Sequence, residues 1–422
     1  MKILLYNIFL ILFKISIHIA SLFKSKAKKW VNGRKNIFHR LEESIGKNQN
    51  IIWFHCASLG EFEQGRPVIE ELKARYKNYK ILLTFFSPSG YEVQKDYKEA
   101  DWVFYLPLDG RKNAKRFLSI VQPALVIFVK YEFWYYYLKQ INKHNTRFLL
   151  ISAQFKKDSL FQRIYGSLLK KMLSRFDHLF VQTEESREMA VNMGLADICT
   201  VSGDTRFDRV IAIAEKFEPI PLIEKFIGEN PVVIAGSTWP EDEVILQKSL
   251  KLLNKSELKL IIAPHEINEK KLADLQKLFP DSILYSKLKS RILVSASCLI
   301  IDNVGMLSRL YKYGTLTYVG GGITKNGVHN VLEAAVYNKI VLFGPFYEKY
   351  SEAIGLLKSG GAISFIDKKK DGIVLSQLIE TLLSKKDEFD TRSKAAGEFV
   401  QSNKGATQKI IQFIQENRLL TN

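Results

Sequence analysis

The sequence predicts an α/β protein with two Rossmann-like domains and an N-terminal apolar helix. Three observations support this prediction. From residue 51 onward, short apolar runs alternate with amphipathic stretches, which is typical of βαβ units and parallel sheets. A proline-containing segment at 218–222 divides the alternation into two series. The first 23 residues are almost wholly apolar, and a basic cluster follows them directly.

Residues 1–30 predict a membrane anchor with a basic flank. Only Lys14 and His18 interrupt the apolar run at 3–23 with ionisable groups, and residues 24–29 hold four lysines. About 20 apolar residues span a bilayer, and positive flanks stay in the cytoplasm. We therefore expect the body of the protein on the cytoplasmic side. Lys14 leaves open whether the helix spans the membrane or lies in its surface, and a buried N-terminal helix is the alternative.

The formal net charge of +18 over 422 residues indicates an anionic partner, such as nucleic acid, acidic lipid or a phosphorylated substrate. Interleaved aromatic and basic RNA-binding motifs and a basic recognition helix are absent, so we expect no nucleic acid. Cys56, Cys199 and Cys298 show no metal-ligand spacing and fit a reduced compartment. We therefore expect no metal site.

The two series define the elements in order. The first predicts a domain at 31–215, with strands at 51–57, 80–86, 102–105, 125–129, 147–153 and 178–181 and helices at 67–76, 113–121, 133–144, 162–174 and 184–193. The second predicts a domain at 216–402, with strands at 231–235, 259–263, 283–285, 298–302, 316–319, 340–342 and 362–366. Residues 403–422 contain a last helix at 406–417, which we expect to pack back on the first domain.

Glu61 closely follows the first predicted strand, in the sequence Ser58-Leu59-Gly60-Glu61. Ligands of open α/β sheets bind beyond the carboxyl ends of the strands. Pro67 predicts a helix start, so we expect Glu61 in a glycine-containing loop before that helix. A carboxylate placed there could act as a general base. A solvated loop glutamate or a charge at a helix start explains the same pattern.

A strand end in the second series carries small and hydroxyl residues. Gly236 permits close backbone approach, and Ser237 or Thr238 can cap a helix that starts near Pro240. The free N–H groups of a helix N-terminus bind phosphate. Capping alone explains both hydroxyls equally well.

Three consecutive glycines, Gly320, Gly321 and Gly322, follow the strand at 316–319. They allow positive φ and close approach of a ligand to the backbone. A helix is predicted to begin near Asn330, with Glu333 in its first turn, where a carboxylate could accept hydrogen bonds from ribose hydroxyls. The Gly-x-Gly-x-x-Gly order of dinucleotide folds is absent. A turn with a glutamate that complements the helix dipole is the alternative.

Other strand ends also carry polar side chains. His265 follows the strand at 259–263, and Glu132 follows the strand at 125–129. Residues 203–209 hold two carboxylates and two arginines, including Arg206. Each of these is ordinary when taken alone.

Taken in order, the segments resemble the 3-deoxy-D-manno-octulosonic acid (Kdo) transferases of lipopolysaccharide synthesis over roughly residues 50–400. The resemblance rests on seven motifs: His55-x-x-Ser58-x-Gly60-Glu61, Glu132-x-Trp134, Ser152-Ala153 with Ser159, Gly203 to Asp208, Ala235 to Thr238, Pro264-His265, and Gly320 to Glu333. Two positions depart from the family pattern. Pro264 stands where members usually carry arginine, and Met306 stands where they tend to carry glutamate.

The resemblance implies a GT-B glycosyltransferase, in which two Rossmann-like domains face a cleft. It implies CMP-Kdo as donor, a lipid A precursor (lipid IVA) as acceptor, and a place at the cytoplasmic face of the inner membrane. Glu61 matches the family's catalytic base and Glu132 a second acidic position of the acceptor half. The donor-binding positions expected are Gly236, Ser237, Thr238, His265, Gly320, Gly321, Gly322, Asn330 and Glu333. Those expected to bind the acceptor are Ser58, Gly60 and Arg206.

The implied reaction is a single displacement that inverts the anomeric centre of Kdo, and it requires neither a metal nor a cofactor besides the donor substrate. Fold alone leaves other reactions open. The nearest alternative is another GT-B glycosyltransferase, or a nucleotide-sugar epimerase, that uses a UDP-sugar. A non-catalytic protein that binds a membrane surface or nucleic acid through its basic charge is an alternative of a different class.

Overall fold

The computed structural model describes residues 2–421, except 131, 156–159, 254–256, 291–295 and 370. Ser159 of the third resemblance motif lies outside the described residues. The chain forms two compact units. The first unit comprises Met1–Arg209 with Lys404–Asn422, and the second comprises Val210–Asn403.

The first unit is built on a seven-stranded parallel sheet. Its strands are β1 (Ile51–Cys56), β2 (Lys80–Phe85), β3 (Trp102–Tyr105), β4 (Leu125–Val129), β5 (Arg147–Ala153), β6 (His178–Val181) and β7 (Cys199–Val201). Their order is β3-β2-β1-β4-β5-β6-β7. The chain leaves β1 in one direction along the sheet and β4 in the other. Ligands of open α/β sheets bind at such a switch point, so the residues that follow β1 and β4 are well placed for a site.

Helices flank this sheet. They are α1 (Lys2–Ser21), α2 (Ser25–Asn32), α3 (Ile37–Ser44), α4 (Leu59–Arg75), α5 (Pro88–Gln94), α6 (Arg111–Val121), α7 (Tyr135–Lys143), α8 (Leu160–Leu173), α9 (Glu184–Asn192) and α10 (Thr205–Glu215). The division between the two units falls inside α10.

The prediction that Glu61 lies in a loop before a helix starting at Pro67 is wrong. The helix α4 begins at Leu59, and Pro67 lies inside it. Ser58 is its N-cap with extended backbone, and its carbonyl accepts a hydrogen bond from the Phe62 N–H at 3.0 Å. Proline is usually found in the first turn because it lacks an N–H, and this preference misplaced the start. Glu61 therefore lies in the first turn of α4.

The second unit carries another seven-stranded parallel sheet. Its strands are β8 (Val232–Thr238), β9 (Lys259–Pro264), β10 (Ser282–Leu284), β11 (Cys298–Ile300), β12 (Leu316–Val319), β13 (Val341–Phe343) and β14 (Ala362–Ser364). Their order is β10-β11-β9-β8-β12-β13-β14. The two parallel sheets confirm the predicted α/β class with two Rossmann-like domains.

The remaining helices are α11 (Pro221–Ile227), α12 (Pro240–Leu253), α13 (Glu269–Leu278), α14 (Leu307–Leu310), α15 (Leu332–Ala335), α16 (Ser351–Lys358), α17 (Ile373–Ser384), α18 (Lys386–Ser402) and α19 (Ala406–Glu416). Short 3₁₀ helices occupy Ala196–Ile198, Tyr285–Ser290 and Tyr311–Tyr313. The segment 218–222, predicted as a linker, runs into α11, whose first residue is Pro221.

The C-terminal helix α19 belongs to the first unit. Ile410, Ile411 and Ile414 are fully buried in a cluster with residues of β1, β2 and α4. The Asp208 carboxylate accepts hydrogen bonds of 2.6 Å from the N–H groups of Gly405 and Thr407, at the start of the helix. A carboxylate at a helix N-terminus satisfies free N–H groups and complements the dipole. Asp208 therefore fixes the point at which the chain returns.

The helix α1 also packs on the first unit, along one side only. The Tyr6 hydroxyl donates to Asp109 at 2.6 Å, and the Tyr136 hydroxyl donates to Asn7 at 2.7 Å. By length and hydropathy α1 could cross a membrane, and only 6% of its apolar window is buried. Its exposed large apolar residues are Ile3, Leu4, Leu5, Ile8, Phe9, Ile11, Leu12, Ile15 and Ile19. So much exposed apolar surface marks an interaction face.

Candidate active site

Glu61 is held at the carboxyl end of β1 by two neighbours. The Ser58 hydroxyl donates a hydrogen bond to one of its carboxylate oxygens. The other oxygen lies 3.9 Å from the Lys130 ammonium. About a fifth of the Glu61 side chain remains exposed (19%), so the carboxylate is both oriented and open to a substrate. Such a group can accept a proton from a bound hydroxyl.

Lys130 was missed in the sequence, although it directly follows β4, the strand beside β1. Its φ of 71° lies in the left-handed region, as does that of Ser152 (53°) at the end of β5. This conformation costs a residue with a side chain roughly 1–2 kcal/mol. Strained residues of this kind cluster at functional sites. The signal available was a lysine at a strand end, two residues before Glu132.

Glu132 lies in a buried polar network. One of its carboxylate oxygens accepts a hydrogen bond from the Trp134 indole N–H at 2.5 Å and lies 2.9 Å from Nε2 of His55. The other ring nitrogen of His55 is 2.9 Å from the Thr84 hydroxyl. Glu132 is only 7% exposed. These contacts favour a positioning role for Glu132. Glu61 is the more accessible of the two carboxylates. The catalytic role predicted for Glu132 stays a prediction.

Replacing Glu132 with alanine should destabilise the first unit by about 2–4 kcal/mol, because two buried donors lose their acceptor. Glu132→Gln keeps one acceptor oxygen and should lose less. Hydrogen exchange of the amides of β1 and β4 measures this for the first unit alone. Glu71→Ala removes a carboxylate of the exposed Glu71–Arg75 pair and is the matched control. Equal protection in Glu132→Ala and the wild type would show that the network does not stabilise the fold.

Arg206 is paired with a buried aspartate. Its guanidinium donates to both oxygens of Asp204, with the shortest bond at 2.7 Å. Burial alone would raise the pKa of Asp204, but the charge and hydrogen bonds of Arg206, together with the charge of Lys130, hold that pKa below its usual value. Arg206 was predicted to bind the acceptor, and its pairing with Asp204 fixes where its charge is presented.

In the second unit, the predicted glycines lie where neighbouring atoms leave no room for a Cβ. A Cβ on Gly236 would lie 2.1 Å from the Tyr311 hydroxyl, and one on Gly320 would lie 2.4 Å from the Ser237 carbonyl oxygen. A Cβ on Gly322 would lie 2.8 Å from the Gly344 nitrogen. Of the three consecutive glycines, Gly321 alone has positive φ, at 88°. Gly320 and Gly322 therefore allow the backbones at the ends of β8, β12 and β13 to approach closely.

Asp242 joins these turns and was missed in the sequence. It is fully buried in the first turn of α12. Its carboxylate accepts hydrogen bonds from the Tyr318 hydroxyl (2.6 Å), the Trp239 N–H (2.8 Å) and the Gly321 N–H (2.9 Å). Burial raises the pKa of Asp242, and these donors lower it in part. The available signal was an acidic residue at the third helical position, which can reach back to the cap.

The Thr238 hydroxyl, predicted as a possible cap of α12, has another partner. The Thr238 hydroxyl donates to Glu243 at 3.0 Å, and Lys271 donates to the same carboxylate at 2.8 Å. The cap bond is made by Asp242 instead. Ser237 has a left-handed backbone (φ 53°), the same departure seen at the ends of β4 and β5.

His265, Trp239 and His329 form a stack at the carboxyl ends of β9, β8 and β12, which are neighbours in the sheet. The centroids of the Trp239 and His265 rings are 4.8 Å apart, and those of the His265 and His329 rings 4.4 Å apart. The Trp239 indole N–H donates to Nε2 of His329 at 2.9 Å. Burial, with the nearby His265, lowers the pKa of His329 to about 4. His329 is therefore neutral at neutral pH and serves as an acceptor.

This pKa predicts a pH dependence. Between about pH 6.5 and 4 the unfolded chain binds a proton at position 329 that the folded chain does not, so the second unit loses stability as the pH falls. The loss attributable to His329 should be about 1–2 kcal/mol after allowance for its partial exposure. His329→Gln keeps an acceptor for Trp239 and should remove this slope. Hydrogen exchange of β8 and β12 amides, compared between the two proteins, measures it.

The comparison between variants is needed because burial also lowers the pKa of His265, which belongs to the same unit. Asp109 titrates in the same range with the opposite sign, since burial raises its pKa to about 6, against the hydrogen bonds it accepts from Tyr6, Tyr136 and Tyr137. Its contribution to stability is lost as the pH rises through 6. Asp109 belongs to the first unit, so its titration should not change the β8 and β12 amides. An unchanged pH slope in His329→Gln would contradict the neutral-histidine interpretation.

The remaining predicted donor residues pair with each other. The Asn330 side-chain amide donates to Glu333 at 3.0 Å, and its oxygen accepts from the Leu332 N–H at 3.2 Å. The helix that follows, α15, begins at Leu332 and is one turn long. Within the part of the chain that the structure describes, no group of three or more His, Cys, Asp or Glu residues could hold a metal ion.

The family model for 3-deoxy-D-manno-octulosonic-acid transferase (kdotransferase) matches residues 33–209. A 3-deoxy-D-manno-octulosonic acid transferase of Aquifex aeolicus is 30% identical over 363 residues, which cover 84% of this chain and 92% of that protein. The corresponding enzyme of Haemophilus influenzae is 26% identical, with 86% of each chain covered.

A bifunctional glycosyltransferase/methyltransferase of Fusobacterium nucleatum is 28% identical over 94% of this chain. The present chain spans only 59% of the length of that relative.

Solved structures share the fold. A UDP-GlcNAc 2-epimerase from Neisseria meningitidis superposes with a TM-score of 0.61 at 16% identity, covering 87% of this chain and all of that one. A glycosyltransferase from Rickettsia africae gives 0.59 at 14% identity, with 89% of this chain and all of that one covered. Identities this low show the fold alone. They confirm the GT-B-like fold predicted from the sequence.

Proposed function

Because the chain belongs to the 3-deoxy-D-manno-octulosonic acid (Kdo) transferase family of glycosyltransferases, we propose that it moves Kdo from CMP-Kdo to a lipid A precursor, lipid IVA. The observation that carries this proposal is the oriented, partly exposed carboxylate of Glu61 at the carboxyl end of β1. The family assignment supports Kdo as the transferred sugar. The formal net charge of +18 fits an anionic acceptor.

In the proposed reaction, Glu61 acts as the general base. A sugar hydroxyl has a pKa far above 7, so it attacks efficiently only if its proton is removed as the new bond forms. Glu61 takes that proton while the oxygen bonds to the anomeric carbon of Kdo. The bond from that carbon to CMP breaks, and CMP leaves with the electron pair. One displacement inverts the anomeric centre.

Lys130 and Ser58 support this role by fixing the carboxylate. The serine holds one oxygen, and the lysine faces the other. Lys130 also adds positive charge where an acidic acceptor sugar or phosphate would bind. We also propose that Ser58, Gly60 and Arg206 lie on the acceptor side. Ser58 and Gly60 adjoin Glu61. Arg206 follows β7, a strand of the same sheet.

We propose that the donor binds at the carboxyl ends of β8, β9 and β12. The stacked rings of Trp239, His265 and His329 offer a flat surface with N–H groups, which suits a nucleotide. Hydrogen-bond donors that point at the phosphate of the leaving CMP would stabilise the negative charge that develops on it. The donor residues proposed are those predicted from the sequence, Gly236, Ser237, Thr238, His265, Gly320, Gly321, Gly322, Asn330 and Glu333.

The identity of the nucleotide is the direct test. In isothermal titration calorimetry, CMP should bind the chain at least about tenfold more tightly than UDP, a difference of about 1.4 kcal/mol. Mass spectrometry of the product from CMP-Kdo and a tetraacylated acceptor should then show a gain of Kdo. Tighter binding of UDP, with no Kdo transfer, would instead identify an enzyme that uses a UDP-sugar.

We propose that the protein lies at the cytoplasmic face of the inner membrane, anchored by α1. Its exposed apolar residues and the lysines after it favour a lipid surface with acidic headgroups. The hydrogen bonds of Tyr6 and Asn7 hold the first half of α1 against the first unit. We therefore propose that α1 inserts sideways into one leaflet, with its free side toward the acyl chains.

A further inference from the structure

A cavity of about 560 Å³ lies in the first unit, between the second half of α1 and the segment around α2, α3 and α6. Its lining contains six basic residues and no carboxylate: Lys14, His18, Arg34, Lys35, His39 and Arg116. The donor-side residues all lie in the other unit, and neither Glu61 nor Glu132 lines this cavity. The proposed transfer reaction therefore assigns it no role.

Four of the basic residues already have partners. Nδ1 of His18 lies 2.7 Å from the carbonyl oxygen of Lys14. The guanidinium of Arg34 donates to the carbonyl groups of Phe86 (2.8 Å) and Leu106 (2.9 Å) and stacks on Trp30. Arg116 pairs with Glu42 at 2.9 Å, and His39 pairs with Glu43 at 3.0 Å. These contacts hold the side chains in the wall of the cavity. Glu42 offsets the charge of Arg116, whereas Arg34 keeps its charge because its acceptors are neutral carbonyl groups.

The side chains of Lys14 and Lys35 are different. Both are exposed residues, and among the described residues neither ammonium has an ion pair or hydrogen bond. Two ammonium groups without partners at the edge of one cavity favour an anion there.

Trp30 lines the cavity and is 6% exposed. Its indole N–H has no acceptor among the residues the structure describes, and the nitrogen is buried beyond the reach of a ligand in the cavity. An anion in the cavity would therefore be held by the two lysine ammonium groups.

The position of the cavity indicates where that phosphate comes from. Lys14 and His18 belong to α1, whose neighbours Ile11, Leu12 and Ile15 are exposed and apolar. A lipid with its phosphate in the cavity would have its acyl chains beside this apolar surface. A free phosphate would make no use of that arrangement.

We propose that this cavity binds the phosphate of an anionic membrane phospholipid, held by Lys14 and Lys35. The site would fix the depth and rotation of α1 in the leaflet. The inference rests on the proposed membrane association and is independent of the proposed transfer reaction.

The test uses the purified full chain in a non-ionic detergent and calorimetric titration with short-chain lipids. Dihexanoylphosphatidylglycerol should bind, and Lys14→Gln/Lys35→Gln should weaken its affinity about 10- to 30-fold. The matched control, Lys77→Gln/Lys98→Gln, removes the same charge from exposed positions of the same unit and should leave the affinity unchanged. The thermal midpoint of each double variant checks the fold.

Four results would overturn the proposal. Equal loss in the two double variants would show a response to net charge alone. Inorganic phosphate binding as tightly as the lipid would show a site for free phosphate. Vesicle flotation gives the third: binding to phosphatidylcholine vesicles with no gain from phosphatidylglycerol would contradict the headgroup site but not the membrane anchor. Failure to bind either kind of vesicle would contradict the headgroup site and the membrane anchor.

Discussion

Glu61→Gln should lower the rate of Kdo transfer about 10²- to 10⁴-fold, the usual contribution of a general base. Glutamine has nearly the same shape and can still accept a hydrogen bond from Ser58, but it cannot take a proton from the acceptor. Because the loss is confined to proton transfer, the fold and the affinity for CMP should be unchanged. The measurements are turnover with CMP-Kdo and a lipid A precursor, and calorimetric binding of CMP.

Glu71→Gln is the matched control for this variant. It removes a carboxylate from the same helix, from an exposed pair with Arg75, and should transfer Kdo at the wild-type rate. Transfer at a near wild-type rate in Glu61→Gln would show that another group is the base.

Asp242→Ala should damage the second unit most. It leaves the Tyr318 hydroxyl and the N–H groups of Trp239 and Gly321 without an acceptor inside the fold. At about 1–3 kcal/mol for each buried unsatisfied group, and with partial relaxation, we expect a loss of about 3–5 kcal/mol in stability. The turns after β8 and β12 should loosen, so CMP should bind at least about tenfold more weakly.

Hydrogen exchange of the β8 and β12 amides reports the stability loss, and calorimetry reports CMP affinity. Glu241→Ala, the exposed neighbour in the same helical turn, should change neither. Asp242→Asn keeps one acceptor oxygen and should fall between the two. If Asp242→Ala bound CMP with wild-type affinity, the turns joined by Asp242 would not form the donor site.

Much of the fold could be predicted because buried parallel strands are short, continuous apolar runs. This pattern located thirteen of the fourteen strands of the two sheets. The exception, β7, has three residues, and Thr200 at its centre is exposed, so it gives no apolar run. The start of α4 was misplaced for a different reason: Pro67 carries a strong local preference, which the packing of α4 overrides.

The site was predictable only in part, because sequence position shows which side chains stand at strand ends and not what they contact. Glu61 and His265 were found in this way. Lys130 and Asp242 were not, since a lysine after a strand and an acidic residue in a first turn are common. Their importance follows from tertiary contacts: Lys130 faces Glu61 from the next strand, and Asp242 binds groups on β12 and the turn after it.

The return of α19 to the first unit has a consequence for synthesis. Ile410, Ile411, Ile414 and Leu420 fill a core whose other buried residues lie in the first half of the chain. Until Gly405 and Thr407 are made, the Asp208 carboxylate lacks their N–H groups. At about 5–20 residues per second, the ribosome needs roughly 10–40 s to make the intervening unit. The nascent first half must therefore persist with an open core and an exposed apolar helix until the last residues emerge. Early contact of α1 with lipid would cover the apolar surface of this helix during that interval.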